Sequence, residues 1–340
     1  MDLFSIIVLA LKIFLVFGAV LTIMIWQTWA ERKVIGHMQL RVGPSSDFLG
    51  PFGLLAPLAD GIKLLTKEDI IPTKADRSVF VLAPLIGMAT ALAAWATIPF
   101  GPQFSIFGRE IAMSISSLNI GVLFILALTS VGVYSIVLAG WASNSKYALL
   151  GGLRASAQII SYELAMGLSI IVVILMAGSL NLTDIVNAQG GHWYIFTIQG
   201  LVAAVIFLVT MVAETNRAPF DMAEAETELV AGFHTEYSGF RFALFFMAEY
   251  INMMIVSCMM VILFLGGWNL PFFVVTNPLL GVGIFVAKVF FFLFLFYWLR
   301  ATLPRLRYNE LMKVGWKVLI PITLVNILFT GVMVLLFNKG

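Results

Sequence analysis

The sequence has 340 residues, of which 61% are hydrophobic and 11% are charged, with a formal net charge of +2. Soluble domains carry about 25% charged residues, so the composition excludes a soluble globular protein and indicates a polytopic membrane protein. The single cysteine, Cys258, excludes disulfides within the chain, iron–sulfur ligation by four cysteines and zinc ribbons. The sequence also has no Walker loop and no G-x-G-x-x-G motif after a predicted strand. We therefore expect no catalytic nucleophile, metal ligand or redox cofactor on this chain, so that any electron carrier belongs to another subunit.

Eight apolar segments are each long enough to cross a hydrocarbon core of ~30 Å. The predicted spans are approximately residues 3–30, 78–100, 119–141, 157–178, 198–214, 242–265, 280–301 and 315–337. The first segment is too long for a signal peptide and lacks a small-residue cleavage site, so we interpret it as a span. The predicted fold class is all-α, with eight transmembrane helices, an amphipathic interfacial helix and ordered inner loops in a single membrane domain.

Basic residues are concentrated in alternate loops. Residues 31–77, 142–156, 215–241 and 300–317 together contain sixteen of the twenty lysines and arginines. By the positive-inside rule these loops face the cytoplasm or matrix, and an even number of spans then places both termini on the opposite side. The basic loop 300–317 has two interpretations, control of topology by positive charge or docking of a peripheral partner.

The first inner loop, residues 31–77, contains an amphipathic segment, PFGLLAPLADGIKLLTKED. The apolar side chains near one helical face are Leu54, Leu55, Leu58, Ile62 and Leu65. This pattern predicts a helix over about residues 52–65 that lies in the membrane interface. Two functions remain open for it, a plain surface anchor or a flap over a lateral opening through which a lipid-like molecule enters.

Several ionisable residues fall inside apolar spans, where such groups are costly and usually face a bundle interior or water. Lys12 lies near a membrane surface and can snorkel. Glu163 and Glu249 lie ~10 Å deep in their spans, and Glu214 ends the fifth span at a similar depth. We expect the three carboxylates to form one buried layer, which Lys288 can extend toward mid-membrane. The layer is interpreted either as a proton relay or as a set of polar contacts that specify helix packing.

One loop, ETNRAPFDMAEAETELVAGFHTE at residues 214–236, carries six of the eighteen acidic residues. Asp221 and Glu224 fit a capping box and predict the start of a helix. Glu226 and Glu228 have no such role, and these carboxylates crowd whether the segment is helical or extended. Crowding beside a low-dielectric membrane raises carboxyl pKa values, so we expect proton exchange near neutral pH. Aromatic residues interleaved with the acids indicate a partly buried loop that lines a cavity.

Several motifs resemble the family of quinone-chamber membrane subunits (those designated H) of proton-pumping NADH:quinone oxidoreductase, or respiratory complex I. The matching motifs are AERKVIGHMQLRVGP at 30–44, GLLAPLADGIKLLTKE at 53–68, ETNRAPFDMAEAETELVAGFHTEYSG at 214–239 and the Glu249–Tyr250 pair. The resemblance covers essentially the whole chain. It departs from the family at Ala56, where a glutamine is usual, so no polar contact is expected from this position.

The resemblance implies a chamber in which quinone, the substrate, is reduced near the last iron–sulfur cluster of a partner. It also implies coupling of that reduction to proton translocation, with iron–sulfur clusters and FMN carried by other subunits. The loop analysis and the resemblance together give the candidate chamber and entrance residues, which are Arg32, Arg41, Asp60, Arg217, Phe220, Asp221, Glu224, Glu226 and Glu228. The candidate proton-path residues are Glu163, Glu214, Glu249 and Lys288.

The expected partners are peripheral quinone-site and iron–sulfur subunits on the inner face, small and antiporter-like membrane subunits in the bilayer, and lipid, but not nucleic acid. The expected location is a bacterial inner (plasma) membrane or a mitochondrial inner membrane. Two other functions are possible for such a sequence, a membrane subunit of an energy-converting hydrogenase-type complex without quinone and a stand-alone secondary transporter. The acidic loop favours the quinone enzyme, and the chain lacks the repeated halves that many transporters show.

Overall fold

The computed structural model describes residues 3–45, 51–106, 108–221 and 232–337, and most of these residues are helical. The helices are α1 (Leu3–Met38), α2 (Ala56–Thr66), α3 (Arg77–Ala94), α4 (Gly121–Ala142), α5 (Lys146–Ala177), α6 (Leu182–Ala188), α7 (Ile198–Glu214), α8 (Gly239–Phe264), α9 (Pro278–Thr302), α10 (Tyr308–Lys313) and α11 (Ile320–Phe337). A π-helical segment, Val314–Leu319, joins α10 to α11. The short strands β1 (Phe104–Ile106) and β2 (Arg109–Ile111) pair antiparallel.

Seven of the described helical segments are long and apolar enough to cross a membrane. These segments are Ser5–Met38, Arg77–Thr97, Gly121–Ala142, Lys146–Ala177, Gly239–Phe264, Pro278–Thr302 and Tyr308–Leu336. They confirm the predicted all-α polytopic membrane protein. The remaining predicted span corresponds to α7, an apolar helix of 17 residues. Its length of ~26 Å is slightly below the ~30 Å core, so the eighth crossing stays a prediction.

Two helices extend beyond their predicted spans. α1 continues to Met38, so residues 31–38 are helical although hydropathy assigns them to a loop. α5 begins at Lys146, eleven residues before the predicted start of its span at 157. Hydropathy marks where a helix leaves the apolar core, not where its backbone stops being helical, because charged residues continue a helix readily in water. This difference matters because it places Glu31 on a helix.

The interfacial helix is present but begins later than predicted. α2 starts at Ala56, with Pro57 in its first turn, where proline is favoured. The preceding turn is irregular, since both Phe52 and Gly53 have positive φ angles. The exposed large hydrophobic side chains of this region include Leu55, Leu58, Ile62 and Leu65, four of the five predicted for the apolar face.

α8 is the central helix of the bundle. Its residues from Met253 to Phe264 are all buried, and it contacts α1, α2, α3, α5, α6, α7 and α9. The acidic loop returns to α8 through a 3₁₀ turn, Gly232–His234, that packs directly on α5. A Cβ atom on Gly151 would lie 2.6 Å from the Cα atom of Gly232, so only glycine permits this approach. The close contact fixes the end of the acidic loop against the bundle.

Candidate functional site

The beginning of the acidic loop is held in place by two neighbouring segments. The Gln158 Nε2 atom on α5 donates to the carbonyl oxygen atoms of Ala213, at 2.9 Å, and Phe220, at 2.7 Å. From the segment after α9, Arg305 Nη2 lies 2.8 Å from Asp221 Oδ2. Phe220 and Asp221 are both buried. The predicted chamber residues Phe220 and Asp221 therefore lie at a fixed, enclosed position, a few residues after the end of α7.

Three of the loop acids belong to the segment 222–231. Glu224, Glu226 and Glu228, and the helix expected to start at Asp221, lie outside the described residues, in the interval 222–231. Their assignment to the chamber stays a prediction.

Arg217 is the centre of a buried network of charges. Its Nη1 atom lies 3.5 Å from Glu31 Oε1 on α1, and its Nη2 atom lies 3.9 Å from Glu249 Oε2 on α8. Its guanidinium also stacks over the ring of Tyr250, 4.4 Å from the ring centroid. One cation is thus shared between two carboxylates, which come from the first helix of the chain and from its central helix.

Glu31 is a site residue that the sequence analysis missed. It is only 3% exposed, accepts a hydrogen bond from the Tyr250 hydroxyl and pairs with Arg300 on α9. The sequence does carry a signal for it, because Val20, Met24, Gln27 and Glu31 recur at helical spacing and all four are buried. The predicted span ends at residue 30, and that boundary hides the periodicity.

The three predicted proton-path carboxylates converge on one region. Glu214 and Glu249 line the same cavity, about 60 Å³ in volume, together with the polar side chains of Thr129, Ser135 and Asn252. These polar side chains allow a cavity of this size to hold water, although much of its wall is apolar. Glu163 accepts a hydrogen bond from the Ser130 hydroxyl on α4. It lies close enough to Glu214 for their charges to repel. The carboxylates therefore follow one another from α8 through α7 to α5.

Lys288 lies elsewhere. Its Nζ atom donates to the carbonyl oxygen atoms of Leu265 at 2.7 Å, Gly267 at 2.9 Å and Asn269 at 2.5 Å. It also lies 4.3 Å from the ring centroid of Trp193. These carbonyls follow the C-terminal end of α8, sixteen residues or ~24 Å along the axis from Glu249. The structure does not bring Lys288 together with the three carboxylates.

An apolar cleft opens between α1, α2 and α8, with a cavity volume of about 760 Å³. Volumes of ~300–1,000 Å³ and mainly apolar walls are typical of small-molecule sites. Arg32 and Asp60 line the cleft and form a salt bridge of 2.6 Å, so the structure brings together two of the predicted entrance residues. Arg41 lies apart from them, exposed, and its Nε atom donates to Gln39 Oε1 at 2.7 Å.

The turn after the acidic loop also anchors Tyr237. Its hydroxyl donates to the carbonyl oxygen of Phe80 on α3, and the two rings stack with their centroids 4.0 Å apart. Burial raises the pKa of the Tyr237 phenol well above its usual value, so the hydroxyl stays a hydrogen-bond donor. Within the described ranges, no group of three or more histidine, cysteine, aspartate or glutamate residues could hold a metal ion.

The fold and the site together define a class. A bundle with seven apolar helices of membrane length, an apolar cleft and a buried arginine–carboxylate network is a polytopic membrane protein with ionisable groups in its interior. Comparison with known proteins then identifies the family. A family model described as NADH dehydrogenase matches residues 11–331. The chain belongs to this family, and the predicted resemblance is confirmed.

Curated relatives carry a more specific name, that of an NADH-quinone oxidoreductase subunit designated H. The chain is 53% identical to the first of two such subunits from Geobacter metallireducens over 325 residues, which cover 96% of each chain. It is 48% identical to the corresponding subunit of Leptospira biflexa, over 100% of this chain and 98% of the relative. It is 52% identical to that of Thermomicrobium roseum, over 94% of each chain. These relatives favour the quinone enzyme over the hydrogenase-type complex and the transporter.

Proposed function

We propose that this chain is the membrane subunit of an NADH:quinone oxidoreductase that forms much of the quinone chamber and couples quinone reduction to proton translocation. The observation that carries the proposal is the placement of two neighbouring residues on α1. Arg32 lines the apolar cleft, whereas Glu31 faces the buried network. Consecutive residues of a helix point ~100° apart, so these two neighbours face different surroundings. A single turn of α1 therefore contacts both the cleft and the buried network around Arg217.

The cleft suits a quinone. A quinone carries a long apolar tail and a polar head group with two carbonyl oxygens, and the cleft has mainly apolar walls with a charged pair beside them. Its three walls come from helices that are apolar on this side, including the exposed face of α2. Entrance from the lipid through this cleft supports the flap interpretation of α2. The head group then moves toward Phe220 and the acidic loop.

The network gives a route from quinone chemistry to protons. Reduction of a quinone to a quinol takes up two electrons and two protons and leaves no net charge. The head group carries negative charge in the interval after electrons arrive and before protons bind, so the charge near the chamber changes during the reaction. Arg217 is shared between Glu31 and Glu249, and any change of charge that draws it toward one leaves the other less stabilised. A proton then binds the less stabilised carboxylate and passes through the polar cavity to Glu214 and Glu163.

The surroundings of the chain follow from this function. The chain belongs to a multisubunit enzyme in a membrane, and we place the iron–sulfur and FMN cofactors in peripheral partners on the basic inner face. We place small and antiporter-like membrane subunits beyond Glu163, and lipid around the remaining spans. The membrane is a bacterial inner membrane or a mitochondrial inner membrane, with both termini on the periplasmic or intermembrane side.

Tryptophan substitutions on α2 test the cleft. Leu58→Trp and Ile62→Trp place bulk in the cleft, while Ala59→Trp places it on an exposed part of the same helix that is not among the cleft walls. In membranes that contain the whole complex, we expect the KM for a long-tailed quinone to rise about tenfold in the first two variants, equivalent to ~1.4 kcal/mol. Oxidation of NADH by a water-soluble acceptor serves as the assembly control. Equal KM values in all three variants would contradict the cleft assignment.

A further inference from the structure

The 3₁₀ turn that closes the acidic loop carries a buried histidine, His234, to which the proton route described above gives no part. The imidazole is 5% exposed, and its Nε2 atom lies 3.7 Å from Glu249 Oε1. Neither ring nitrogen has a hydrogen-bond partner among the described residues. Burial of an imidazole without such partners is unfavourable, which indicates that the ring has a function at this position. The polar group that lies nearest to it is the Glu249 carboxylate.

Aromatic rings hold the imidazole in a fixed orientation. Phe233 lies against its face, with the ring centroids 3.7 Å apart, and Phe242 and Phe245 meet it edge-on at 5.6 Å and 5.5 Å. A ring so enclosed has one polar neighbour in these contacts, the carboxylate of Glu249. Aromatic faces also favour a cation, so the enclosure tolerates an imidazolium as well as a neutral ring.

The charges around the pair indicate how readily this region takes up a proton. The charged groups that face the pair or its cavity are Glu31 on α1, Glu214 at the end of α7, Arg217 just after it, Glu249 on α8 and Arg300 on α9. To the cavity, α4 contributes the neutral Thr129 and Ser135, and α5 contributes Ile159. Three carboxylates and two guanidiniums leave one negative charge in excess, and Glu163 on α5, whose charge repels that of Glu214, adds a second. An added proton therefore lowers the excess charge of the described cluster, and a low-dielectric interior favours that loss of charge.

We propose that His234 is the residue that holds this proton. In one state Glu249 carries the proton as a carboxylic acid and His234 is neutral. In the other, the O–H bond at Glu249 Oε1 has broken and the N–H bond at His234 Nε2 has formed, which gives an imidazolium–carboxylate ion pair. Histidine is the side chain whose charge ordinarily changes near neutral pH, and it lies at the end of the acidic loop. His234 is therefore a positioning residue that sets when Glu249 passes a proton to Glu214.

This inference rests on the proposed coupling function, and the variants are chosen to separate the two. His234→Gln keeps a polar side chain that does not titrate, and His234→Phe keeps a ring in the aromatic enclosure. His192→Gln removes an exposed histidine of the chain and is the matched control. Glu249→Gln reports on the coupling function itself. Complex content and NADH oxidation by a water-soluble acceptor establish that each variant assembles, and His234→Asn replaces any variant that does not.

Proton pumping is measured with the whole complex in sealed vesicles across a pH series, and carboxyl protonation is measured by difference infrared spectroscopy. We expect His234→Gln and His234→Phe to lower pumping by roughly 10-fold or more, and the pH profile of pumping in both variants to differ from that of the wild type. We also expect the protonated-carboxyl band to be stronger in His234→Gln than in the wild type, because the proton then stays on Glu249, and to lose this added intensity in the double variant with Glu249→Gln. His192→Gln behaves as the wild type.

The contrary results are distinct. If Glu249→Gln lowers pumping but His234→Gln keeps the wild-type rate, pH profile and carboxyl spectrum, the role of His234 is wrong and the coupling function stands. If Glu249→Gln pumps as the wild type does, the coupling function itself is wrong, and the assignment of His234 is wrong with it.

Discussion

The N-terminal half of α8 and the turn after its C-terminal end each hold a buried cation, but they hold it in different ways. Lys288 makes three hydrogen bonds of 2.5–2.9 Å to backbone carbonyls that follow the end of the helix. Arg217 lies 3.5 Å and 3.9 Å from two carboxylates on different helices. Backbone carbonyls cannot titrate, whereas both carboxylates can. A buried charge is therefore a structural anchor when its partners are fixed, and part of a switch when titratable partners compete for it.

The largest effect is expected from Arg217→Met, which removes the shared cation but keeps much of its length. Glu249 and Glu31 then lose a common partner, and breaking a buried ion pair by removing one member costs ~3–5 kcal/mol. We expect the thermal midpoint of the complex in mild detergent to fall sharply and pumping to be lost. Arg217→Lys is the control, because it keeps the positive charge but not the planar guanidinium. We expect the complex with Arg217→Lys to assemble. A stable Arg217→Met complex that pumps normally would remove Arg217 from the centre of the site.

A smaller effect, of a different kind, is expected at the other end of α8. Lys288→Met leaves three carbonyl oxygens without their donor, and a buried polar group left without its partner costs ~1–3 kcal/mol. We expect the thermal midpoint to fall while the number of protons pumped per electron stays at the wild-type value. Lys288→Arg, which can still donate, restores much of the stability. A reduced proton-to-electron ratio in Lys288→Met would return this residue to the proton path.

The smallest effect on stability is expected at the cleft, where Arg32 and Asp60 are about half-exposed. Exposed ion pairs contribute only ~0–1 kcal/mol, so Arg32→Gln and Asp60→Asn should leave the thermal midpoint nearly unchanged. Because both side chains line the cleft, we expect the KM for quinone to rise about two- to fivefold. The control is Lys146→Gln, which removes an exposed basic residue of a predicted inner loop that does not line the cleft. A KM that changes as much in Lys146→Gln would show that the effect is one of surface charge and not of the cleft.

The sequence was sufficient to predict the fold class and to predict that three carboxylates lie close together. Apolar segments of membrane length can form only helices, since backbone polar groups have no water to bind within the bilayer. Glu163, Glu214 and Glu249 stand out because a carboxylate inside such a segment is rare. Their similar depth predicts a common layer, and the structure brings them to one region.

What the sequence could not provide was the choice of partners. Glu31 contacts Arg300 across 269 positions, and Asp221 contacts Arg305 across 84, and no local pattern encodes such pairs. The depth of Lys288 is visible in the sequence and suggests a place in the polar layer, whereas the three carbonyls that bind it come from a turn whose shape is not visible there. Pairing is a property of the packed bundle, and hydropathy and spacing describe one helix at a time.

The central claim is that the link from Glu31 through Arg217 to Glu249 couples the cleft to the proton path. The most direct test is the number of protons translocated per electron by Glu31→Gln, compared with the wild type and with Lys146→Gln in the same sealed vesicles. Our account predicts that Glu31→Gln assembles and still reduces quinone, but translocates clearly fewer protons per electron, while Lys146→Gln keeps the wild-type ratio. A wild-type ratio in Glu31→Gln, at an unchanged rate of quinone reduction, would contradict it.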